Sequence, residues 1–113
     1  MIKNKNSARP VVCFRMRTGS HKKYKEKCEF ENNSYCKTTE VLIGKFLRQE
    51  VILVQTDFTV LDAIEQPVRP PITFRLRKDL YKQLKSVCKR SKVSHCIIIE
   101  VLVEKYLRRE III

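Results

Sequence analysis

The chain repeats itself. Residues 9–53 lie over residues 69–113 with a constant shift of sixty and no gap. Arg9-Pro10, Phe14, Arg15 and Arg17 recur as Arg69-Pro70, Phe74, Arg75 and Arg77; Lys22, Lys25 and Cys28 recur as Lys82, Lys85 and Cys88. Ser34 and Cys36 return as Ser94 and Cys96, Glu40-Val41-Leu42 as Glu100-Val101-Leu102, and Leu47-Arg48 and Glu50 as Leu107-Arg108 and Glu110. An ungapped match of this length does not arise by chance in a chain of ordinary complexity, so the protein is a duplication. Whatever one copy folds into, the other must fold into as well. A copy of roughly 45 residues is near the lower limit for folding alone, so the two are expected to pack on each other.

Each copy opens on an alternating stretch, VCFRMR (Val12 to Arg17) and ITFRLR (Ile72 to Arg77). A period of two places Ile72, Phe74 and Leu76 on one face of a strand and Thr73, Arg75 and Arg77 on the other. One face can cover a core while the other presents arginines to an acidic partner. The first strand is expected over about Val11 to Arg17.

A helix follows in each copy, from about Thr18 to Glu31 in the first, with Tyr24 and Cys28 four apart on one face. In the second copy Leu80, Leu84, Val87 and Cys88 make an i, i+4, i+7, i+8 stripe. Asp79 sits in its first turn, where negative charge suits the helix dipole. Asn32-Asn33 is a turn signal, and Ser91-Lys92 a weaker one. Ser34 and Ser94 are each placed to cap a second helix. Those helices bury Thr39, Leu42, Ile43 and Phe46 in one copy, and Ile99, Leu102, Val103 and Tyr106 in the other. Each copy therefore reads strand, helix, turn, helix.

Four segments result: a basic arm at 1–8, a first copy at 9–53, an acidic linker at 54–68 and a second copy at 69–113. Within the linker Val54, Phe58, Leu61 and Ile64 share one apolar helical face, so the segment can dock on the core. Pro67 and Pro70-Pro71 end such a helix. Extended, the linker spans up to roughly 50 Å, so the second strand can be delivered anywhere, including to a second chain.

Charge narrows the partner. The net charge is +12. Residues 9–53 carry 10 basic and 5 acidic groups, residues 69–113 carry 12 and 4, and 54–68 carries three acidic groups and no basic one. Scattered lysines are the ordinary means of staying soluble. An excess this large in both copies points to nucleic acid or an anionic surface. The basic residues crowd the strands and first helices rather than one long amphipathic face, which argues against a membrane surface. No apolar run reaches the roughly 20 residues of a membrane span, and the N-terminus MIKNKNSARP has no signal-peptide core. A soluble protein of the cytoplasm is expected.

The outline resembles the ribbon-helix-helix DNA-binding proteins of the Arc/MetJ superfamily. It falls on ITFRLR, Leu80/Leu84/Val87, Val93-Ser94, Ile99/Leu102/Val103 and Tyr106, and it covers both copies, some four-fifths of the chain. The chain looks like the tandem form found in conjugative plasmids and in regulators of archaeal filamentous viruses. Its Ile- and Lys-rich composition leans toward a virus of a hyperthermophile. Where the family commonly has a turn glycine, this chain has Asn32 and Lys92. Its first copy has Asn33 and Lys37-Thr38-Thr39 against Val93 and Ile97-Ile98-Ile99.

The resemblance implies a mainly α fold with a two-stranded antiparallel ribbon, in which two fused motifs make an intrachain pseudo-dimer. Physics leads the same way: two copies can pair strands and interlock four helices, whereas one copy cannot cover its faces. Such a ribbon fits the major groove of double-stranded DNA. The groove-facing positions carried over are Val11, Cys13 and Arg15 on one strand and Pro71, Thr73 and Arg75 on the other. Arg15 and Arg75 are suited to bidentate contacts with guanine, Thr73 to a base edge or thymine methyl, and Cys13 to an apolar contact. The helix openings Ser34-Tyr35 and Ser94-His95 are expected to clamp the DNA backbone, besides capping. Arg9, Arg17, Arg69, Arg77 and Lys78 add phosphate contacts. The implied function is a sequence-specific transcription regulator, with further copies joining side by side on an operator. An antitoxin, or an architectural or relaxosome accessory protein, are the alternatives; the absence of a segment after Ile113 speaks against the first.

Cys28 with Cys36, and Cys88 with Cys96, join the end of a first helix to the start of a second, a place for a disulfide staple or for buried apolar filler. Cys13 is left as a free thiol. There is no CxxC and no nearby histidine pair, so no metal is expected. His21 and His95 occupy unmatched places, and no phosphate-binding glycine loop is present. No cofactor, small-molecule substrate or enzymatic activity is expected.

Overall fold

A computed structural model of the protein describes residues 10–16, 18–62 and 71–112, excepting the side chains of residues 18 and 59–62. The chain is mainly helical with one two-stranded antiparallel sheet. Its elements run β1 (Val11–Arg15), α1 (Thr18–Phe30), α2 (Tyr35–Leu47), α3 (Gln55–Asp62), β2 (Pro71–Arg75), α4 (Lys78–Ser91) and α5 (His95–Leu107). Each copy thus supplies a strand and two helices, and α3 arises from the linker. The expected arm at 1–8 and the end of the linker at 63–68 lie outside the described residues.

The strands alternate as their sequences require. Val12, Phe14, Ile72 and Phe74 are buried, while Val11, Cys13, Arg15, Pro71, Thr73 and Arg75 are exposed. Both strands stop two residues short of the expected ends, at Arg15 and Arg75. Met16 and Leu76 keep the alternation and are fully buried. The ladder pairs Val11 with Arg75, Cys13 with Thr73 and Arg15 with Pro71, so its centre is a pair of residues sixty apart. The Leu76 N–H donates to Pro10 O at 3.2 Å, which extends the pairing by one position. Beneath the ladder Phe14 and Phe74 meet edge to face at 5.9 Å. A lone ribbon is marginal in water, and here its buried face rests on helices from both copies.

Helix packing crosses between copies: α1 against α5, α2 against α4, and α2 against α5. Leu80 and Leu84 are buried on α4, with Val87 and Cys88 half-buried. On α1, which lacks large aliphatics, Tyr24 and Cys28 take that role. Leu42, Ile43 and Thr39 are buried as expected; Phe46 is only half-buried. Its counterpart Tyr106 is sealed by α1, through an edge-to-face contact with Tyr24 at 6.1 Å, Lys27 over its ring and a hydrogen bond to Glu31. The matching residues of α4 are Leu84, Val87 and Ser91, which offer neither ring nor charge.

One exchange between the copies is chemical rather than steric. Where the second copy has Leu84 and Ile99, the first has Tyr24 and Thr39. The Thr39 hydroxyl donates to Tyr35 O and lies within 2.6 Å of Tyr24 Oη, which leaves Tyr24 as the donor to Thr39. Burial pushes the Tyr24 phenol far above its usual range. Thr38, matching Ile98, has a buried hydroxyl with no well-formed hydrogen bond, beside the Cys28 thiol.

Helices α1, α2, α4 and α5 end in left-handed residues that are not glycine: Asn32, Gln49, Lys92 and Arg109, all with φ between 61° and 64°. After α2 the Glu50 N–H reaches Lys45 O and the Gln49 N–H reaches Phe46 O, and after α5 Glu110 and Arg109 do the same to Lys105 and Tyr106. These are Schellman turns, which satisfy the last carbonyls. The sixty-residue repeat therefore extends to backbone conformation.

Candidate nucleic-acid interface

The exposed ribbon face collects every strand residue expected to contact a base: Val11, Cys13 and Arg15 from β1, and Pro71, Thr73 and Arg75 from β2. Antiparallel pairing sets their arrangement. Cys13 and Thr73 stand opposite each other at the centre, Arg15 beside Pro71 at one end, and Arg75 beside Val11 at the other. The arginines are therefore not neighbours. Four residues along a strand separate them by roughly 14 Å.

The outer edges of the ribbon are not bare. The Tyr35 hydroxyl donates to Thr73 O at 3.0 Å, and at the other edge His95 Nε2 lies 3.3 Å from Cys13 O, which also accepts from the Cys96 thiol. Tyr35 and His95 are sixty apart, as are Cys13 and Thr73, so one device serves both edges. Blocking an edge in this way prevents it from pairing with another strand. It also fixes the first turn of α2 and of α5 to the ribbon. Partial burial, then Cys36, raises the Tyr35 phenol above its usual value, which keeps it a donor.

Ser34 and Ser94 cap those helices as expected, accepting from Lys37 N at 3.1 Å and Ile97 N at 3.3 Å. A depression of about 710 Å³ lies between the start of α2 and the ribbon, bordered by Val11, Ser34, Lys37, Glu40, Thr73 and Arg75. Lys37 and Glu40 were not expected here from sequence, because a mid-helix charge looks like a solvated face. The Glu40 carboxylate accepts the Arg77 N–H at 2.9 Å and so ties the end of β2 to α2. Its recurrence as Glu100 was the available signal.

Arg77 lies beyond the strand at the start of α4, where its guanidinium meets Asp79 at 3.4 Å. Lys78 opens α4 and is exposed. Arg9, Arg17 and Arg69 lie outside the described residues.

All five cysteines are free thiols, and neither helix-to-helix staple is formed. Burial raises the Cys28, Cys88 and Cys96 thiols, with Cys96 adding to the effect on Cys88 and Cys13 to that on Cys96. Thiolate is the species that enters disulfide exchange, so this setting disfavours it. Among the described residues no group of three or more His, Cys, Asp or Glu side chains is placed to hold a metal ion, and no helix is long and apolar enough to cross a membrane. No protein-family model, no curated protein and no solved structure matches this chain.

Proposed function

We propose that this protein is a sequence-specific double-stranded DNA-binding regulator of transcription, a tandem ribbon-helix-helix protein that inserts β1 and β2 into the major groove. In this reading the copies at 9–53 and 69–113 form an intrachain pseudo-dimer, and 54–68 connects them. The observation that carries it is the ladder centred on Cys13 and Thr73, which turns all six outward strand residues to one face and buries Val12, Phe14, Ile72 and Phe74 on the other. A net charge of +12 supports a polyanionic partner, and a two-stranded ribbon has the width of the major groove. Arg15 and Arg75 read bases, Cys13 and Thr73 contact the centre of the site, and the starts of α2 and α5 lie against the backbone with Arg77 and Lys78. The protein acts by occupying its site and performs no catalysis. Its compartment is the one that holds the DNA, the cytoplasm or, for a viral protein, that of the host.

Mobility-shift assays with the DNA upstream of the protein's own gene test the proposal. A discrete complex that survives excess random DNA at moderate salt is expected, on a site that is an imperfect inverted repeat, because the two strands differ. Equal affinity for random DNA would remove the claim of specificity.

A further inference from the structure

Lys45 and Lys105 are equivalent in the repeat, but among the described residues only Lys105 is covered by α3. Helix α3 packs on α5. Asp57, third in α3, accepts the Val54 N–H at 2.8 Å with one carboxylate oxygen and the Lys105 ammonium at 3.0 Å with the other. The two side chains are 9% and 14% exposed. Phe58, the next residue, is half-buried. Lys45 has the same helix end, the same Schellman turn and the same glutamate partner, Glu50, at 3.5 Å. It has no counterpart of Asp57, and its side chain is 25% exposed.

The surroundings of Lys45 differ in one direction. Val101 is buried where Val41 is half-buried, and Arg108 is less exposed than Arg48. Glu104 has become Gly44, and a Cβ at Gly44 would meet the Arg48 guanidinium at 3.1 Å, so that group lies over the bare glycine. Helix α2 therefore repeats the lysine end by which α5 holds Asp57 of α3, without the Glu104 carboxylate. Glu50 pairs with Lys45 and Arg48 as Glu110 pairs with Lys105 and Arg108, so the lack of a carboxylate at Gly44 is what makes this face the more favourable to an anion.

We propose that the α2 face formed by Val41, Gly44, Lys45 and Arg48 is a docking surface for an acidic amphipathic helix of another protein, whose first-turn carboxylate meets Lys45 as Asp57 meets Lys105. A second copy of this chain is the poorer occupant. Residues 54–68 are its acidic stretch, and α3, which they supply, is already held on its own α5. Lys45 lies ten residues beyond Tyr35, about 15 Å along α2 from the ribbon edge. A helix bound there leaves the ribbon face open, so the inference stands apart from the DNA-binding proposal.

A synthetic peptide of residues 53–66 of this chain serves as the test ligand, titrated into the isotopically labelled full-length protein without DNA. Saturable shifts of the Val41, Lys45 and Arg48 amides are expected. Lys45→Glu in the protein, or Asp57→Asn in the peptide, should weaken binding roughly tenfold or more. Lys45 is partly exposed, so the amide spectrum remote from α2 should stay native in the variant. Shifts confined to α5 around Lys105 would mean mere exchange with α3 and would overturn the proposal. So would affinity unchanged in Lys45→Glu, no binding at about 1 mM peptide, or the same shifts produced by raising protein concentration alone, which would make the occupant a second copy.

Discussion

Tyr24 Oη lies 2.6 Å from Thr39 Oγ1, and the two residues hold in the first copy the places of Leu84 and Ile99 in the second. Either half of this exchange alone weakens the buried pair. A buried phenol needs an acceptor, and a leucine in place of Tyr24 would strip Thr39 of that donor.

The pair should therefore be coupled in a double-mutant cycle. Thr39→Ile alone leaves the Tyr24 hydroxyl only its long contact with Tyr35 O, at 3.4 Å, and should cost about 1–3 kcal/mol. Tyr24→Leu alone also removes the contact with Tyr106 and should cost about 2–4 kcal/mol. The double variant should be more stable than the sum of the singles by about 1–2 kcal/mol. Urea unfolding measures all four proteins, and strict additivity would show that the hydroxyl pair has no joint role.

Lys92 ends α4 with φ 61° and donates its N–H to Cys88 O. A left-handed lysine is strained by its Cβ, whereas glycine is not. Lys92→Gly should raise stability by about 1 kcal/mol, despite the greater freedom of glycine in the unfolded chain. Asn32→Gly, at the equivalent turn, should gain only a few tenths, because asparagine already tolerates this region. Thermal unfolding should rank the two. A loss of stability in Lys92→Gly would refute the strain argument.

Acid and base should both release α3 from α5. Burial disfavours the Asp57 carboxylate, but the Val54 N–H and Lys105 outweigh it, and its pKa is lowered. Burial likewise disfavours the Lys105 ammonium, but Glu110 and Asp57 outweigh it, and its pKa is raised. The aspartate contribution is thus present above its ordinary value of 3.8 and is lost as pH falls through the lower folded value. The lysine contribution is present below 10.5 and is lost as pH rises through the higher folded value. Protection of the α3 amides, taken relative to the intrinsic exchange rate at each pH, should be greatest between these limits. In Asp57→Asn the acid limb should vanish and the whole window should exchange faster.

Much of this architecture is legible in the sequence, because period-two and period-four patterns report directly which face is buried. Val12, Phe14, Ile72 and Phe74 on the strands, and Leu80 and Leu84 on α4, needed nothing more. The duplication also fixed which residues could pair. Three features were hidden. Tyr24 and Thr39 look like defects in an apolar pattern until their hydroxyls are seen to meet. Lys45 and Lys105 are identical letters at equivalent helix ends, and the neighbouring exchange of Gly44 for Glu104 does not say which of them receives α3. The placement of Arg15 and Arg75 depends on strand direction: antiparallel pairing sends these equivalent residues to opposite ends, and in the ladder only Cys13 and Thr73 stand directly opposite their own equivalents. The candidate site was legible as a set of outward residues, and its spacing came only from the ladder.

That spacing gives the sharpest test of the proposed function. If the ribbon lies in the major groove, arginines roughly 14 Å apart should read bases about four base pairs from each other, at roughly 3.4 Å per pair. Arg75→Ala should weaken specific binding by about 1–3 kcal/mol and relax preference at one end of the central site. Arg15→Ala should do so at the other end, with the positions beside Cys13 and Thr73 still discriminated. Lys78 opens α4 away from the ladder, so Lys78→Ala should weaken binding to every sequence alike and lower the salt dependence by about one unit of slope. Binding-site selection from random DNA, run in parallel on the three variants, separates these outcomes, and melting curves check that each stays folded. If Arg15→Ala and Arg75→Ala lost affinity uniformly with base preference intact, the exposed face would be meeting a charged backbone or surface. The ribbon would then not be reading the groove, and specificity would have to come from elsewhere in the chain.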